Sequence, residues 1–183
     1  MKALAVLLAV TLSLAACGEQ ETAARPDAVP MTEETVGHYC QMNLSEHPGP
    51  KAQVHLDGVA DPLFFSQVRD AIAYQRMPEQ SHAIRAIYVS DMAVATSWER
   101  PGLGNWIAAE TALYVVGSEI MGGMGAPELV PFSDPAAAED FVARHGGVVL
   151  ELAAIPDEEI LAPMEFHADG EGNFQPAEDT RTE

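Results

Sequence analysis

The sequence predicts an α+β fold: two similar ββαβ units packed together, with a flexible N-terminal tether before them and a flexible C-terminal tail after them. Three observations carry this reading. Phe65-Ser66, Ala71 and Tyr74 recur as Phe132-Ser133, Ala138 and Phe141, at a constant offset of 67 positions. Each copy opens a stretch with apolar residues at helical spacing, Val68, Ala71 and Ile72 in the first and Ala138, Phe141 and Val142 in the second. Each stretch lies between strand-like runs, residues 51–57 and 84–89 around the first and residues 113–117 and 148–152 around the second.

In chain order, residues 1–16 read as an export signal: a positive start at Lys2, an apolar run over 3–12, and small residues at Ala15 and Ala16. The run is too short for a transmembrane helix, which takes about 20 residues. Leu14-Ala15-Ala16-Cys17 reads as a lipobox, which makes Cys17 a lipid-bearing anchor that holds a soluble domain to a membrane surface. Gly18 is not the aspartate that retains lipoproteins at the inner membrane, so the expected anchor site is the outer membrane. Residues 17–32, polar and interrupted by Pro26 and Pro30, read as the tether.

The first unit is expected over residues 33–97 and the second over 98–160. Ser66 and Ser133 stand where an N-cap accepts from free helix amides, Pro135 suits a first turn, and Gly146-Gly147 suits a C-cap. Trp98 and Trp106, with Pro101 and glycines between them, are expected to cover the core between the halves. After a last turn near Ile160, residues 161–183 read as an acidic disordered tail. Met164 and His167 within it are poor candidates for ligands, since an unstructured segment holds a metal only at the expense of ordering entropy.

The formal charge is −19, and −20 once Lys2 leaves with the signal. So acidic a body excludes nucleic acid as a partner and does not dock on anionic lipid; its charge keeps a tethered domain soluble and self-repelling.

With Cys17 committed to lipid, Cys40 is the one thiol left, in a chain bound for an oxidising compartment where cysteines normally pair as disulfides. Met42 follows two positions later, and a thiolate beside a thioether is a soft donor pair that selects Cu(I). His38, Cys40 and Met42 alternate with Tyr39 and Gln41, so period two places all three on one face of an extended segment. Neighbours on such a face are about 7 Å apart at the backbone, so the methionine has to lean toward the cysteine.

A second source of sulfur is Met121-Gly122-Gly123-Met124-Gly125-Ala126-Pro127-Glu128, a glycine-rich loop able to fold over a neighbouring site and present Met124, ahead of Met121, as a ligand. It lacks the Gly-Lys-Ser/Thr ending of a phosphate loop. The third donor stays open between Met124 and His38. Met77 and Met92 read as gap-filling residues at element ends, and His47 and His82 as turn residues. No serine, histidine and carboxylate grouping suggests hydrolysis. A thiol enzyme using Cys40 as nucleophile lacks the second thiol of an exchange cycle, and a purely structural lipoprotein uses neither sulfur.

Ordered together, Gly37-His38-Tyr39-Cys40-Gln41-Met42, His47-Pro48-Gly49-Pro50-Lys51, Leu63-Phe64-Phe65-Ser66-Gln67-Val68-Arg69-Asp70 and Gly122-Gly123-Met124-Gly125-Ala126-Pro127-Glu128 closely resemble the NosL family, copper-binding accessory lipoproteins of bacterial nitrous oxide reductase. The resemblance runs from about Met31 to Pro156. It implies a pair of ββαβ units similar to organomercurial lyase, no enzymatic activity, and the binding of one Cu(I). It also implies delivery of that ion in the periplasm for assembly of the reductase's copper–sulfide centre, together with an ABC-type membrane complex of the same system. The family's copper-binding residues carry over onto Cys40 and Met42, and onto Met124.

Overall fold

The structure, a computed structural model, describes residues 24–78, 80, 82–162, 166–168 and 174–176. The export signal, Cys17 and the first part of the tether lie outside the described residues, as does Met164. No described helix is long and apolar enough to cross a membrane.

In the first unit, strand β1 (Ala52–Leu56) lies between β2 (Leu63–Phe65) and β3 (Ile84–Ser90), antiparallel to both, and helix α1 (Val68–Arg76) connects β2 to β3. The second unit repeats this: β5 (Leu113–Val116) lies between β6 (Val130–Phe132) and β7 (Val148–Glu151), and α2 (Pro135–His145) connects the outer two. The ββαβ repeat expected from the 67-residue offset is therefore the architecture. One strand was not anticipated: β4 (Trp106–Ala108) comes from the connection between the units and pairs with β3 as the fourth strand of the first sheet.

The two units share one core. Val54, Phe65, Val68, Ala71, Ile72 and Val89 of the first pack with Tyr114, Val116 and Leu129 of the second. Strand β5 alternates, sending Tyr114 and Val116 into this shared core and Val115 into a smaller cluster with Val130, Phe132, Ala138 and Phe141. Each fully buried side chain of this size contributes about 1.5–3 kcal/mol, so the shared face stabilises both units.

Both expected N-caps move by one residue. Gln67, extended at φ −134°, precedes α1 and makes no side-chain cap bond; the Arg69 amide donates instead to the Glu128 carboxylate, 3.1 Å away in the other unit. A carboxylate distant in sequence satisfies the helix end, and Ser66 is simply buried. At α2, Asp134 accepts from the Ala136 amide at 3.1 Å, while the Ser133 hydroxyl donates to Asp91 Oδ2 at 2.5 Å and ties the two units together. Pro135 and Gly146, at φ +72°, occupy the expected first turn and C-cap.

The ends depart further from expectation. Residues 24–32 are not a free tether but a strap laid along the first sheet. Val29 exchanges two hydrogen bonds with the Gln53 amide (2.8 and 2.9 Å), and the Met31 amide donates to the Leu103 carbonyl at 2.8 Å. Composition indicated flexibility because the partners of this segment lie more than twenty residues away. At the other end, helix α3 (Asp157–Leu161) supplies the last turn near Ile160, held by Arg69 donating to the Ile160 and Ala162 carbonyls. Beyond it β8 (Phe166–Ala168) and β9 (Phe174–Pro176) pair antiparallel, with His167 opposite Gln175. Two strands of three residues are too short to show in a composition averaged over an acidic tail.

Trp98 bridges the halves, packed between Gly49 and Phe141, whereas Trp106 lies on the first sheet beside Phe64, ring centroids 6.3 Å apart. Met92 packs against the smaller cluster, but Met77 is exposed at the end of α1 rather than filling a gap.

Candidate metal site

The segment carrying Cys40 is a tight turn, not the extended run expected from its alternation. A bridge between Val36 and Asn43 closes it, the Gly37 amide donates to the Met42 carbonyl at 3.0 Å, and the Gln41 amide donates to the Gly37 carbonyl at 3.0 Å. Gln41 takes φ +55°, a left-handed conformation uncommon for a residue with a side chain. Its amide group offsets part of that strain by donating to the Gly37 and His38 carbonyls at 3.3 and 2.6 Å. Polar-apolar alternation over five residues does not distinguish a strand from such a turn. The consequence for Cys40 is favourable: its thiol turns back toward the Met42 carbonyl at 3.9 Å, so Cys40 and Met42 share one turn.

Gly37 makes the turn possible. A Cβ at that position meets Cys40 Sγ at 2.5 Å and Leu44 Cδ2 at 2.9 Å. Gly37→Ala is accordingly expected to lose about 1–3 kcal/mol as an overpacked site and to change the alkylation rate of Cys40. Denaturant titration and reaction with a thiol reagent measure the two, and an unchanged rate with unchanged stability contradicts the geometry.

The glycine-rich loop is held from two sides, by Gln67 and by His47. Gln67, fully buried, accepts from the Met124 amide through Oε1 at 3.1 Å and donates through Nε2 to the Ala126 carbonyl at 3.3 Å. His47 Nδ1 lies 3.1 Å from the Gly123 carbonyl, which fixes that nitrogen as the donor. Two of the glycines are there for space. A Cβ on Gly122 falls 2.3 Å from Gln67 Nε2 and 2.5 Å from Glu128 Oε2, and one on Gly123 falls 2.8 Å from both His47 Cβ and the Pro48 carbonyl.

The Cys40 turn is anchored at the neighbouring point, where the His38 amide donates to the Phe64 carbonyl at 2.6 Å. Phe64 in β2 and Gln67 at the N-cap of α1 are three residues apart, so one short stretch holds both sulfur-bearing loops, within roughly 11 Å along the backbone. Met42 and Met124 are each 42% exposed, and Cys40 is half-buried as a free thiol. Their sulfurs sit at the surface rather than in the core, where a thioether not serving as a donor is normally placed. Met121, bridged to Pro127, is similarly exposed. The His38 ring instead lies against Tyr39, Phe65 and Tyr74 at centroid distances of 5.3, 5.6 and 6.0 Å, one member of a surface aromatic cluster.

Beneath the loops lie two buried ionisable groups that the sequence does not single out as site residues. Lys51 donates to the Pro48 and Gly49 carbonyls at 3.0 and 2.6 Å. Burial lowers its ammonium to about 8, an effect that the nearby Glu128 and Cys40 partly reverse. Glu128 accepts through Oε1 from the Arg69 and Leu129 amides, while Oε2 has no partner among the described residues. Burial pushes this carboxyl up to about 8. Lys51, Gln67 and Glu128 all sit inside the sequence motifs quoted above, but nothing local marks a polar residue as buried.

Among the described residues no group of three or more His, Cys, Asp or Glu side chains is placed to hold a metal. The class this describes is a small α+β metal-binding protein, with a free thiol and exposed thioethers on two loops of a two-sheet body. The comparisons agree with it. The NosL family profile matches residues 28–160, and the chain belongs to the NosL family. It is 57% identical over 161 residues to the copper-binding lipoprotein NosL of Achromobacter cycloclastes, spanning 87% of this chain and 83% of that one. It is 35% identical over 154 residues to the copper-binding lipoprotein NosL of Stutzerimonas stutzeri, spanning 83% and 77%. The crystal structure of the copper chaperone NosL from Shewanella denitrificans superposes with a TM-score of 0.65 at 30% identity, over 70% of this chain and 95% of that one. These relatives are a copper-binding lipoprotein and a copper chaperone, not enzymes.

Proposed function

We propose that this chain is a copper carrier, anchored to a membrane through lipid on Cys17, that binds one Cu(I) with Cys40, Met42 and Met124. It hands the ion on for assembly of the copper–sulfide centre of nitrous oxide reductase, together with that system's ABC-type complex. The periplasm is its place of action, with the outer membrane as the anchoring surface. The observation that carries the reading is the pinning of the Cys40 turn and the Met124 loop to the same stretch, residues 64–67. The names of the relatives support the metal, and sulfur donors support its cuprous state. Met124 is favoured over His38 as third donor because its loop is bonded to the buried Gln67, whereas the His38 ring, exposed like Met124, packs against Phe65 and Tyr74.

Transfer follows from that exposure. A low-coordinate ion held by one thiolate and two surface thioethers lets a partner's sulfur or imidazole bind before the first donor leaves, so exchange needs no fully dissociated ion.

Anaerobic competition titration with a Cu(I) chelator tests the reading. One equivalent per chain is expected, and Met42→Ala or Met124→Ala should each lower affinity by about tenfold or more, as losing a donor must at least match losing a supporting contact. Full affinity in Met124→Ala together with a loss in His38→Ala reassigns the third donor to His38. Catalytic turnover by metal-free protein would instead favour the thiol-enzyme alternative.

A further inference from the structure

We propose that the protein stands end-on at the membrane, with the turn after β1 (residues 57–61) toward the bilayer and the Cys40 turn facing away into the aqueous space. The proposal rests on the lipid anchor at Cys17 and adds to it a defined orientation.

The strap sets the direction. Its first described residue, Ala24, accepts through its carbonyl from Arg85 at 3.3 Å, and Arg85 is itself paired with Asp57 at 2.9 Å, just past the end of β1. Arg25 next pairs with Glu110 and lies over the Tyr88 ring, 4.9 Å from its centroid, and the Tyr88 hydroxyl donates to the Pro26 carbonyl at 2.7 Å. Val29 then meets Gln53 at the other end of β1. The register orders these contacts: Leu56 pairs with Ile84, Gln53 with Tyr88 and Ala52 with Val89, so the strap climbs the sheet from the Leu56 end to the Ala52 end.

The Cys40 turn belongs to the far end. It is bonded to Phe64, which pairs with Gln53, and Phe65 pairs with Ala52. The four steps of β1 separate the two ends by roughly 13 Å before the loops at either end are added.

Six residues, 18–23, join Cys17 to Ala24. A stretch of that length reaches at most roughly 20–25 Å. Bringing the Cys40 turn to the bilayer makes the leash run back along the whole sheet and both loops, which consumes its reach. Leaving the 57–61 turn nearest the lipid demands no extension. A partner thus meets the sulfur loops from the aqueous side, at a height set by the strap together with the short leash before it.

Energy transfer to labelled lipid tests this. Full-length lipidated protein is placed in phosphatidylcholine vesicles carrying a trace of headgroup-labelled acceptor. The donor dye sits either on Cys40 or on a thiol introduced by Val59→Cys in a Cys40→Ser background. Transfer is expected to be several-fold stronger from position 59 than from position 40. A Gly-Ser insertion after Ala23 that doubles the leash should shrink the difference. Equal transfer from both positions, or stronger transfer from Cys40, overturns the orientation. Intact mass reads the anchor separately: a chain without acyl mass at Cys17 overturns the lipid reading itself and the orientation with it.

Discussion

Cys40→Ser is expected to abolish tight Cu(I) binding, lowering affinity by more than the roughly 10–100-fold typical of removing a contact that only supports a ligand. A serine hydroxyl is a hard, protonated donor at neutral pH, with little affinity for a soft monovalent ion. The fold should survive the change. Cys40 is half-buried, its one recorded hydrogen bond is the 3.9 Å contact to the Met42 carbonyl, and the turn is closed by backbone bonds at 3.0 Å that a serine leaves in place. Competition titration under anaerobic conditions, with circular dichroism as the folding control, separates the two effects. An unchanged Cu(I) affinity in a folded Cys40→Ser protein removes the basis of the proposed function.

The second large effect concerns pH. Glu128 titrates at about 8 in the fold against an ordinary 4.5 because it is fully buried; Asp70 adds to the rise, and the Arg69 and Leu129 amides and Lys51 oppose it. The folded protein therefore keeps a proton that the unfolded chain has released, and stability falls as pH rises from about 4.5 to about 8. Lys51 acts in the opposite sense. It titrates at about 8 in the fold against an ordinary 10.5, so above pH 8 the unfolded chain holds the extra proton and stability rises toward pH 10.5. Together the two groups place a minimum of their combined contribution near pH 8. Glu128→Gln keeps the shape and the acceptor for the Arg69 and Leu129 amides but cannot ionise. It is expected to flatten the slope between pH 4.5 and 8 and to leave the variant at least as stable as the parent at pH 8. Urea denaturation midpoints across that range measure this, and parallel pH profiles for the two proteins contradict the assignment of Glu128.

Much of the architecture was legible in the chain. The paired Phe-Ser motifs led to two ββαβ units because helical and strand periodicities are local properties, set by which face of each element has to be buried. What composition missed was contact at a distance. Residues 24–32 have the make-up of a linker, yet Gln53, Tyr88 and Leu103 hold them down. The α1 N-cap went astray for the same reason: Glu128, from the other unit, accepts from the Arg69 amide, whereas at α2 the local cap is Asp134, one residue after the expected Ser133.

For the candidate site, the chain alone determined the chemistry on offer: the Cys40 sulfur, a thioether two residues away and two more on a glycine loop, which is a matter of donor softness and of which side chains exist at all. Only the tertiary structure decided the geometry. It replaced an extended Cys40 segment with a turn at a left-handed Gln41, set the His38 ring among aromatics, and tied the Met124 loop to the buried Gln67, three residues after the Phe64 carbonyl that anchors the turn. The physical reason is that donor identity is a property of single residues. Convergence depends instead on hydrogen bonds between segments some sixty to eighty residues apart, such as Gln67 to Met124 and His47 to Gly123, and no periodicity encodes these.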